Sequence, residues 1–267
     1  MKAKLFLEFS AIALVFITVW FVLSRIDFVS EDDLKKFSKA SERKLSELIL
    51  KALEDRHSEF NQRKIKTYID SIGYRICTSN NISFDSIKVH IIYNGEVNAF
   101  ALPDRNMVIY TGLIENAKSA EEVAGVMAHE IGHMENDHVM KKLAKEIGIS
   151  MLFVLAGGSE NLEVLKEAGR TLSSTAFDRS QEREADAFAV DALVKAEIDT
   201  EPFGNFLFRL SMENGDIPEE LVWISTHPDS KERAAEVFER KKEFTFTSKP
   251  ILKTSWASVT DLAKNSD

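Results

Sequence analysis

Cysteine is almost absent from this sequence: Cys77 is the only one among 267 residues. An intramolecular disulfide and a thiolate metal cluster are therefore excluded, and a bound metal ion would need histidine and carboxylate ligands. Basic residues are also in the minority, with 34 Lys and Arg against 43 Asp and Glu and a formal net charge of −9. Because no long run of Lys or Arg offsets this acidity, the composition argues against a nucleic-acid-binding protein.

One long hydrophobic run lies at the N-terminus, from Leu5 to Leu23, with Glu8 as its single charge. A helix of this length spans about 28 Å, close to the thickness of a bilayer core. Lys2 and Lys4 precede the run and acidic residues follow it, so the positive-inside rule predicts a single-pass inner-membrane protein whose main domain is periplasmic or otherwise extracytoplasmic. The alternative is a cleaved signal peptide, which would give a secreted or periplasmic protein. The bulky end of the run and the lack of a small-residue cleavage site favour an uncleaved anchor.

The remaining pattern predicts a mostly helical α+β protein. Apolar stripes indicate two helices between residues 31 and 76, and from Ile87 the period changes to that of strands. Segments 88–93, 97–102 and 107–110 read as strands, with a hairpin turn at Asn94-Gly95, and together predict a small antiparallel β-meander. Further helices are expected at about 119–146, 161–172, 180–196, 202–213 and 229–242.

These elements suggest four parts of the chain. We expect an N-terminal transmembrane anchor at 1–24, a juxtamembrane helical segment at 25–60 and a main domain at 61–245. The C-terminal tail, 246–267, carries no pattern that predicts a helix or a strand.

The clearest chemical motif is His129-Glu130-Ile131-Gly132-His133, which follows a capping box formed by Ser119 and Glu122. At about 100° per residue, the two histidines leave one face of a helix one turn apart, so both imidazoles can reach one metal ion. Glu130 lies between them and can meet a metal-bound water as a general base. His138, on the opposite face of the same expected helix, is interpreted as structural or solvent-facing.

Two histidines need a further ligand, and the best candidate is a carboxylate in the helix predicted at 180–196. On a helical wheel, Glu182 points from the middle of the apolar face, and Asp186 stands about 40° away. A carboxylate directed at a core is costly unless a cation or hydrogen-bond donors neutralise it, and a metal ion would do so. Asp186 suits an acceptor that orients a ligating imidazole. The alternative for Glu182 is an ordinary helix-start carboxylate stabilised by the helix dipole.

The succession of H-E-x-x-H and E-x-x-A-D resembles the M48 metallopeptidase family over about residues 60–240. The supporting segments are Val97–Pro103, Tyr110–Leu113, Arg179 with Gln181, and Ser225–Pro228. The resemblance implies a zincin-like (gluzincin) fold, one Zn²⁺ per chain and Glu182 as the third ligand. The sequence departs from the usual family pattern at Pro103-Asp104-Arg105 and at Asp178. These differences bear on loop shape and substrate preference rather than on the metal ligands. Because it has a single hydrophobic run, the chain resembles the single-span or soluble branch of the family.

The expected activity is that of a zinc metalloendopeptidase that hydrolyses peptide bonds of membrane or envelope proteins. His129, His133 and Glu182 leave a fourth zinc position open, as in catalytic sites, for a water that the ion activates and Glu130 deprotonates. His227 would either stabilise the oxyanion or occupy the open position in a resting state. The alternative interpretation of His227 is an ordinary loop histidine that precedes a helix.

An extended substrate peptide is expected along the edge of the strand at 97–102, against Asn98, Ala99 and Phe100. Two other functions remain open from the sequence. The chain could be a catalytically weak, metal-stabilised binding or chaperone-like module. It could also be a membrane-tethered helical adaptor in which Glu182 is unrelated to the histidines. The expected partners are protein or peptide substrates and, through the N-terminal helix, a membrane.

Overall fold

A computed structural model describes residues 39–55, 57–148, 151, 152, 154, 157, 162–212 and 222–265. The predicted anchor at 1–24 lies outside these residues. None of the helices in the described ranges has both the length and the apolar character that a membrane crossing requires.

The described part of the chain is mostly helical, with one small sheet, as the sequence predicts. In chain order the elements are α1 (Lys39–Glu54), α2 (Arg63–Ser79), β1 (Lys88–Ile92), β2 (Ala99–Leu102), β3 (Asn106–Tyr110), α3 (Thr111–Asn116), α4 (Ala120–Glu135), α5 (His138–Ile147), α6 (Leu162–Ser174), α7 (Arg179–Lys195), α8 (Glu201–Ser211), α9 (Val222–Thr226), α10 (Ser230–Lys241) and α11 (Trp256–Lys264). A short 3₁₀ turn, Phe84–Ser86, precedes β1.

The sheet is mixed, and the predicted antiparallel meander is wrong. β3 lies in the middle; β1 runs parallel to it, with Lys88 beside Asn106, and β2 runs antiparallel, with Ala99 beside Ile109. The expected hairpin at Asn94-Gly95 does not form: β1 and β2 are not neighbours in the sheet, and neither residue has the positive φ of a type I′ turn.

The chain after β1 instead crosses the end of β3. The carbonyl of Asn94 accepts a hydrogen bond from the Gly112 N–H at 2.8 Å. A Cβ placed on Gly112 would come within 2.2 Å of the Gly95 carbonyl oxygen, so this crossing needs glycine. β2 is thereby carried to the far side of β3, where it forms an edge of the sheet.

Helix α4 is the centre of the core, with its residues buried from Ala120 to Met134 except Glu121. It begins where the Ser119 hydroxyl accepts the Glu122 N–H, as the capping box predicts. The single helix expected at 119–146 is wrong, however. Asp137 adopts a left-handed conformation, φ 56°, that separates α4 from α5.

Helix α7 packs closely on α4, and small residues permit the contact. A Cβ on Gly132 would lie 3.0 Å from the Cα of Ala185, which is itself fully buried. This approach brings the segment that contains His129 and His133 against the one that contains Glu182.

The tail at 246–267, for which the sequence indicated no element, contains α11. The Ser255 hydroxyl accepts the Ser258 N–H and caps its start. Trp256 is buried, and its indole Nε1–H donates to the Ala117 carbonyl at 2.9 Å. The C-terminal helix is therefore joined to the segment that links the sheet to α4.

Candidate metal centre

Three elements bring their polar side chains to one buried point. α4 supplies His129, Glu130 and His133, α7 supplies Glu182, and the turn after α9 supplies His227. Each of these side chains is at most 2% exposed. A polar cluster buried so completely needs internal partners or a bound ion.

The atoms that could bind an ion face one another. His129 Nε2 lies 3.0 Å from His133 Nε2, and Glu182 oxygens lie 3.4 Å from His133 Nε2 and 3.7 Å from His129 Nε2. Ligands of a tetrahedral zinc ion at about 2.0–2.1 Å are separated from one another by roughly 3.3 Å. The donor set therefore fits zinc in chemical type and in spacing.

A fourth donor is present. His227 Nδ1 lies 3.1 Å from His129 Nε2 and 2.9 Å from Glu182 Oε1. One donor atom from each of His129, His133, Glu182 and His227 lies within 4.8 Å of all the others. The predicted residues are thus brought together, and His227 takes the place of a possible ligand.

Asp186 stands behind His129, where the sequence placed an orienting acceptor. His129 Nδ1 is 2.9 Å from Asp186 Oδ1, although the ring N–H does not point well along this line. Burial alone would raise the pKa of Asp186, but the Arg233 guanidinium and the contact with His129 lower it to about 2. Asp186 is therefore an anion at neutral pH.

Arg233, on α10, contacts the site and was not predicted from the sequence. Its Nε and Nη2 bind the two oxygens of Asp186 at 2.6 and 2.8 Å, and its Nη1 lies 2.5 Å from Glu182 Oε2. Nη1 also donates to the His227 carbonyl at 3.1 Å. Burial alone would raise the pKa of Glu182, but the His227 imidazole and the Arg233 guanidinium hold it well below its usual range.

His138 is the second residue whose place the sequence did not reveal. It begins α5 and is buried, with Nδ1 3.0 Å from His133 Nδ1 and Nε2 3.2 Å from Glu184 Oε2. The expected position on the far side of the His129 helix is wrong because the chain turns at Asp137. His138 contacts the site rather than facing away from it.

Glu130 is held by the sheet on one side of the histidines. Its Oε2 accepts the Ala101 N–H at 2.9 Å, and its Oε1 lies 3.4 Å from His227 Nε2. Neither Glu130 Oε1 nor His227 Nε2 has a hydrogen-bond partner in the described ranges. Burial raises the pKa of Glu130 to about 7, which suits a group that takes up and releases protons near neutrality.

Aromatic rings enclose the histidines. Trp223 stacks on His227 with ring centroids 4.4 Å apart, and Phe177 stacks on His133 at 3.9 Å. Burial lowers the pKa of His227 to about 4 despite the neighbouring Glu182, so the imidazole is neutral at pH 7. A neutral imidazole is the form that binds metal ions.

The Phe177 ring is covered in turn by a buried cation. Lys142 Nζ lies 3.8 Å from the ring centroid and donates to the Thr175 carbonyl at 2.5 Å. Burial lowers the pKa of Lys142 to about 8 although the nearby carboxylates oppose this shift. Lys142 thus supports the ring that contacts His133.

The strand expected to bind substrate lies beside Glu130 at the edge of the sheet. Asn98 is fully buried; its Nδ2 donates to the Ser173 carbonyl at 3.0 Å, and its Oδ1 has no partner in the described ranges. Ala99 and Phe100 are buried in β2. Next to them, the Val97 carbonyl accepts the Trp223 N–H at 3.1 Å, so α9 covers that end of the edge.

The sequence model of Peptidase family M48 matches residues 63–241, which include all the clustered histidines and carboxylates. This chain belongs to the M48 peptidase family. M48 metallopeptidases depend on a metal ion, and the buried His and Glu donors fit that requirement.

Individual M48 relatives are distant. A putative beta-barrel assembly-enhancing protease of Vibrio cholerae is 26% identical over 207 residues, covering 73% of this chain and 43% of the relative. The mitochondrial metalloendopeptidase OMA1 of Schizosaccharomyces pombe is 25% identical over 230 residues, covering 82% and 67%. The metalloprotease LoiP of Escherichia coli is 28% identical over 191 residues, covering 69% and 71%. The chain thus spans less than half the length of the Vibrio cholerae relative.

Proposed function

We propose that this M48 family member is a zinc-dependent metalloendopeptidase in which His129, His133 and Glu182 bind one zinc ion per chain. The observation that carries the proposal is the convergence of these three buried donors, with separations of 3.0–3.7 Å, beside Glu130 Oε1, which has no hydrogen-bond partner among the described residues. A bound zinc ion would polarise the scissile carbonyl and lower the pKa of a coordinated water.

The protein side chains then have distinct roles. Glu130 is the general base: Ala101 holds its Oε2, so Oε1 takes up the proton of the attacking water and delivers it to the leaving amine. Asp186 orients His129, and Arg233 orients Glu182 and neutralises the charge of both buried carboxylates.

His227 has two alternative roles in this mechanism, and they differ in whether its imidazole binds the metal. As a donor to the oxyanion it would leave the metal free for substrate. As a fourth ligand through Nδ1, the arrangement supported by its 2.9 Å distance to Glu182 Oε1, it would close the site in a resting state. His227→Ala separates them: loss of an oxyanion donor lowers kcat about 10²- to 10³-fold, whereas removal of a plug raises activity.

The same four donors support a second candidate function. Zinc with four protein ligands is typical of structural sites, so the chain could be a catalytically weak binding or chaperone-like module stabilised by its metal.

We propose that the substrates are membrane or envelope proteins, bound as extended peptides along the edge of β2. Asn98 would offer the peptide backbone its Oδ1, which has no partner in the described part of the chain, and Ala99 and Phe100 would line the cleft. The proposed location is the inner membrane, with a single N-terminal span and an extracytoplasmic catalytic domain; the alternative is a secreted or periplasmic protein. The hydrophobic run at Leu5–Leu23 supports a membrane location, and the names of the beta-barrel assembly-enhancing relatives support envelope substrates.

The deciding experiment combines metal analysis with cleavage of casein by the full-length chain. We expect about one zinc per chain and chelator-sensitive cleavage, which Glu130→Gln abolishes without loss of zinc. Glu135→Gln, at the end of the same helix, is the matched control and should retain activity. Equal activity of Glu130→Gln would remove the proposed base. A wild type that binds zinc without cleaving casein would favour the binding module, and the absence of zinc would contradict the proposed metal centre.

A further inference from the structure

The two motif histidines of α4 have different partners on the side away from the donor cluster. His129 Nδ1 faces the carboxylate of Asp186, whereas His133 Nδ1 faces another imidazole, that of His138. We infer that His138 is a positioning residue that fixes the tautomer and the ring orientation of His133. The inference rests on the proposed function, because it assumes that His133 binds zinc through Nε2.

The distance between the two rings determines how protons are shared. His133 Nδ1 and His138 Nδ1 are 3.0 Å apart, which leaves room for one hydrogen atom between them. When His133 binds zinc through Nε2, its Nδ1 carries the hydrogen and donates it. His138 Nδ1 must then be the bare acceptor.

The other nitrogen of His138 completes the chain. With Nδ1 bare, a neutral His138 carries its hydrogen on Nε2, which lies 3.2 Å from Glu184 Oε2. Each donor thus meets an acceptor, from His133 through His138 to Glu184. Because the Glu184 side chain is 62% exposed, this series connects a buried metal ligand to solvent through one imidazole.

The backbone explains why His138 can reach this place. In a continuous helix, a residue five positions after His133 would point about 140° away from it. Asp137 interrupts the helix with φ 56°, and α5 begins at His138, which is 1% exposed. The left-handed residue therefore turns the imidazole back onto His133.

His138 and Glu184 should contribute unequally to the zinc affinity. His138 is buried, so water cannot easily replace the acceptor that it offers. Glu184 is largely exposed, so water can take its place on His138 Nε2. We therefore expect the zinc affinity to depend strongly on His138 and weakly on Glu184.

The test measures the zinc affinity of the full-length chain by competition with a chelator. His138→Leu removes the acceptor with little change in volume and should lower the affinity roughly 10- to 100-fold. His138→Asn places an amide oxygen where Nδ1 was and should remain within about threefold of wild type, as should Glu184→Ala. His90→Asn is the matched control, since His90 bonds Asn106 in the sheet, and it should leave the affinity unchanged.

The outcomes separate this inference from the proposed function. If the wild type binds no zinc, the proposed metal centre itself fails. If it binds zinc and His138→Leu binds equally well, or if Asn and Leu weaken binding equally, the positioning role of His138 is overturned while the metal centre stands.

A spectroscopic measurement on the wild type covers the case in which the variants fail to fold. In zinc-loaded chain labelled with ¹⁵N-histidine, we expect a hydrogen on Nδ1 of His133 and on Nε2, but not Nδ1, of His138. A hydrogen on His138 Nδ1 would contradict the inference.

Discussion

Arg233 binds Asp186 through two parallel hydrogen bonds, with Nε 2.6 Å from Oδ2 and Nη2 2.8 Å from Oδ1, and both side chains are buried. The third nitrogen of the same guanidinium, Nη1, lies 2.5 Å from Glu182 Oε2. One cation thus neutralises two carboxylates that stand one turn apart on α7. Without it, two negative charges would remain in the core beside the histidines.

We therefore predict that Arg233→Ala lowers the free energy of unfolding of the zinc-free chain by about 3–5 kcal/mol, because it leaves buried charges unpaired. Urea denaturation measures this. Arg240→Ala, on the same helix, breaks a half-exposed pair with Asp191 and should cost less than about 1 kcal/mol. Equal losses of unfolding free energy from the two variants would show that the buried ion pairs stabilise the fold no more than the half-exposed pair does.

The buried Lys142 gives a prediction for the dependence of stability on pH. Its pKa is lowered to about 8 in the folded chain, against 10.5 for an ordinary lysine, so the unfolded chain binds more protons between these two values. Charged Lys142 therefore destabilises the fold at pH 7, and this cost disappears as the pH rises from 8 to 10.5.

Lys142→Met should consequently raise the free energy of unfolding at pH 7 by about 1–3 kcal/mol, after the loss of the bond to Thr175 is counted. The advantage over wild type should vanish near pH 10. Lys145→Met, which removes an exposed partner of Asp178, is the control and should show no such trend. A constant difference between Lys142→Met and wild type across this pH range would contradict the prediction.

Gly132 determines how closely α4 and α7 approach. A Cβ there would meet the Ala185 backbone at 3.0–3.1 Å, so Gly132→Ala must push the helices apart and separate His133 from Glu182. We expect a loss of about 1–3 kcal/mol in stability and a zinc affinity lowered about tenfold. Unfolding curves and chelator competition measure the two effects.

Gly169→Ala provides the comparison for Gly132→Ala. Gly169 lies in α6, where a new Cβ meets side-chain atoms only at 3.8 and 3.9 Å. Alanine should stabilise the helix by about 0.5–1 kcal/mol and leave zinc binding unchanged. If both glycine variants behave alike, close helix packing does not control the metal centre.

Asn98 is predicted to act on the substrate rather than on the metal. Asn98→Leu removes both Oδ1, which has no partner among the described residues, and the Nδ2 donor to the Ser173 carbonyl, with little change in volume, and should lower kcat/KM about tenfold at unchanged zinc content. Asn80→Leu, at the C-terminal cap of α2, removes an amide that donates to the Ala192 carbonyl in α7 and should leave kcat/KM unchanged. Loss of zinc from Asn98→Leu would instead indicate a role in the metal centre.

Much of the donor cluster was predictable because it obeys helical geometry. The four-residue spacing of His129 and His133 and the apolar surroundings of Glu182 are properties of single helices, and the structure brings these three side chains together. The order of the strands was not predictable in this way. It depends on the passage of Asn94 and Gly95 over Gly112, a contact between segments distant in sequence.

The missed residues share a reason. Arg233 is remote in sequence from Glu182 and Asp186, although two carboxylates on an apolar helix face imply a buried cation somewhere. The position of His138 was predicted wrongly because the helical sequence pattern continues through Asp137. The left-handed conformation of Asp137 changes the direction of the chain, and so of the side chains that follow it. The Asn136-Asp137 pair, two residue types that tolerate this conformation, was the available signal.

The C-terminal helix has a practical consequence for work on fragments. A recombinant piece cut to the family segment, 63–241, would remove Trp256 and leave the Ala117 carbonyl without its indole donor. It would also strip away α1, whose Leu45 and Ile49 are fully enclosed by the fold. Poor solubility of such a truncated sample would reflect the trimming, and expression should extend from Lys39 at least through Lys264.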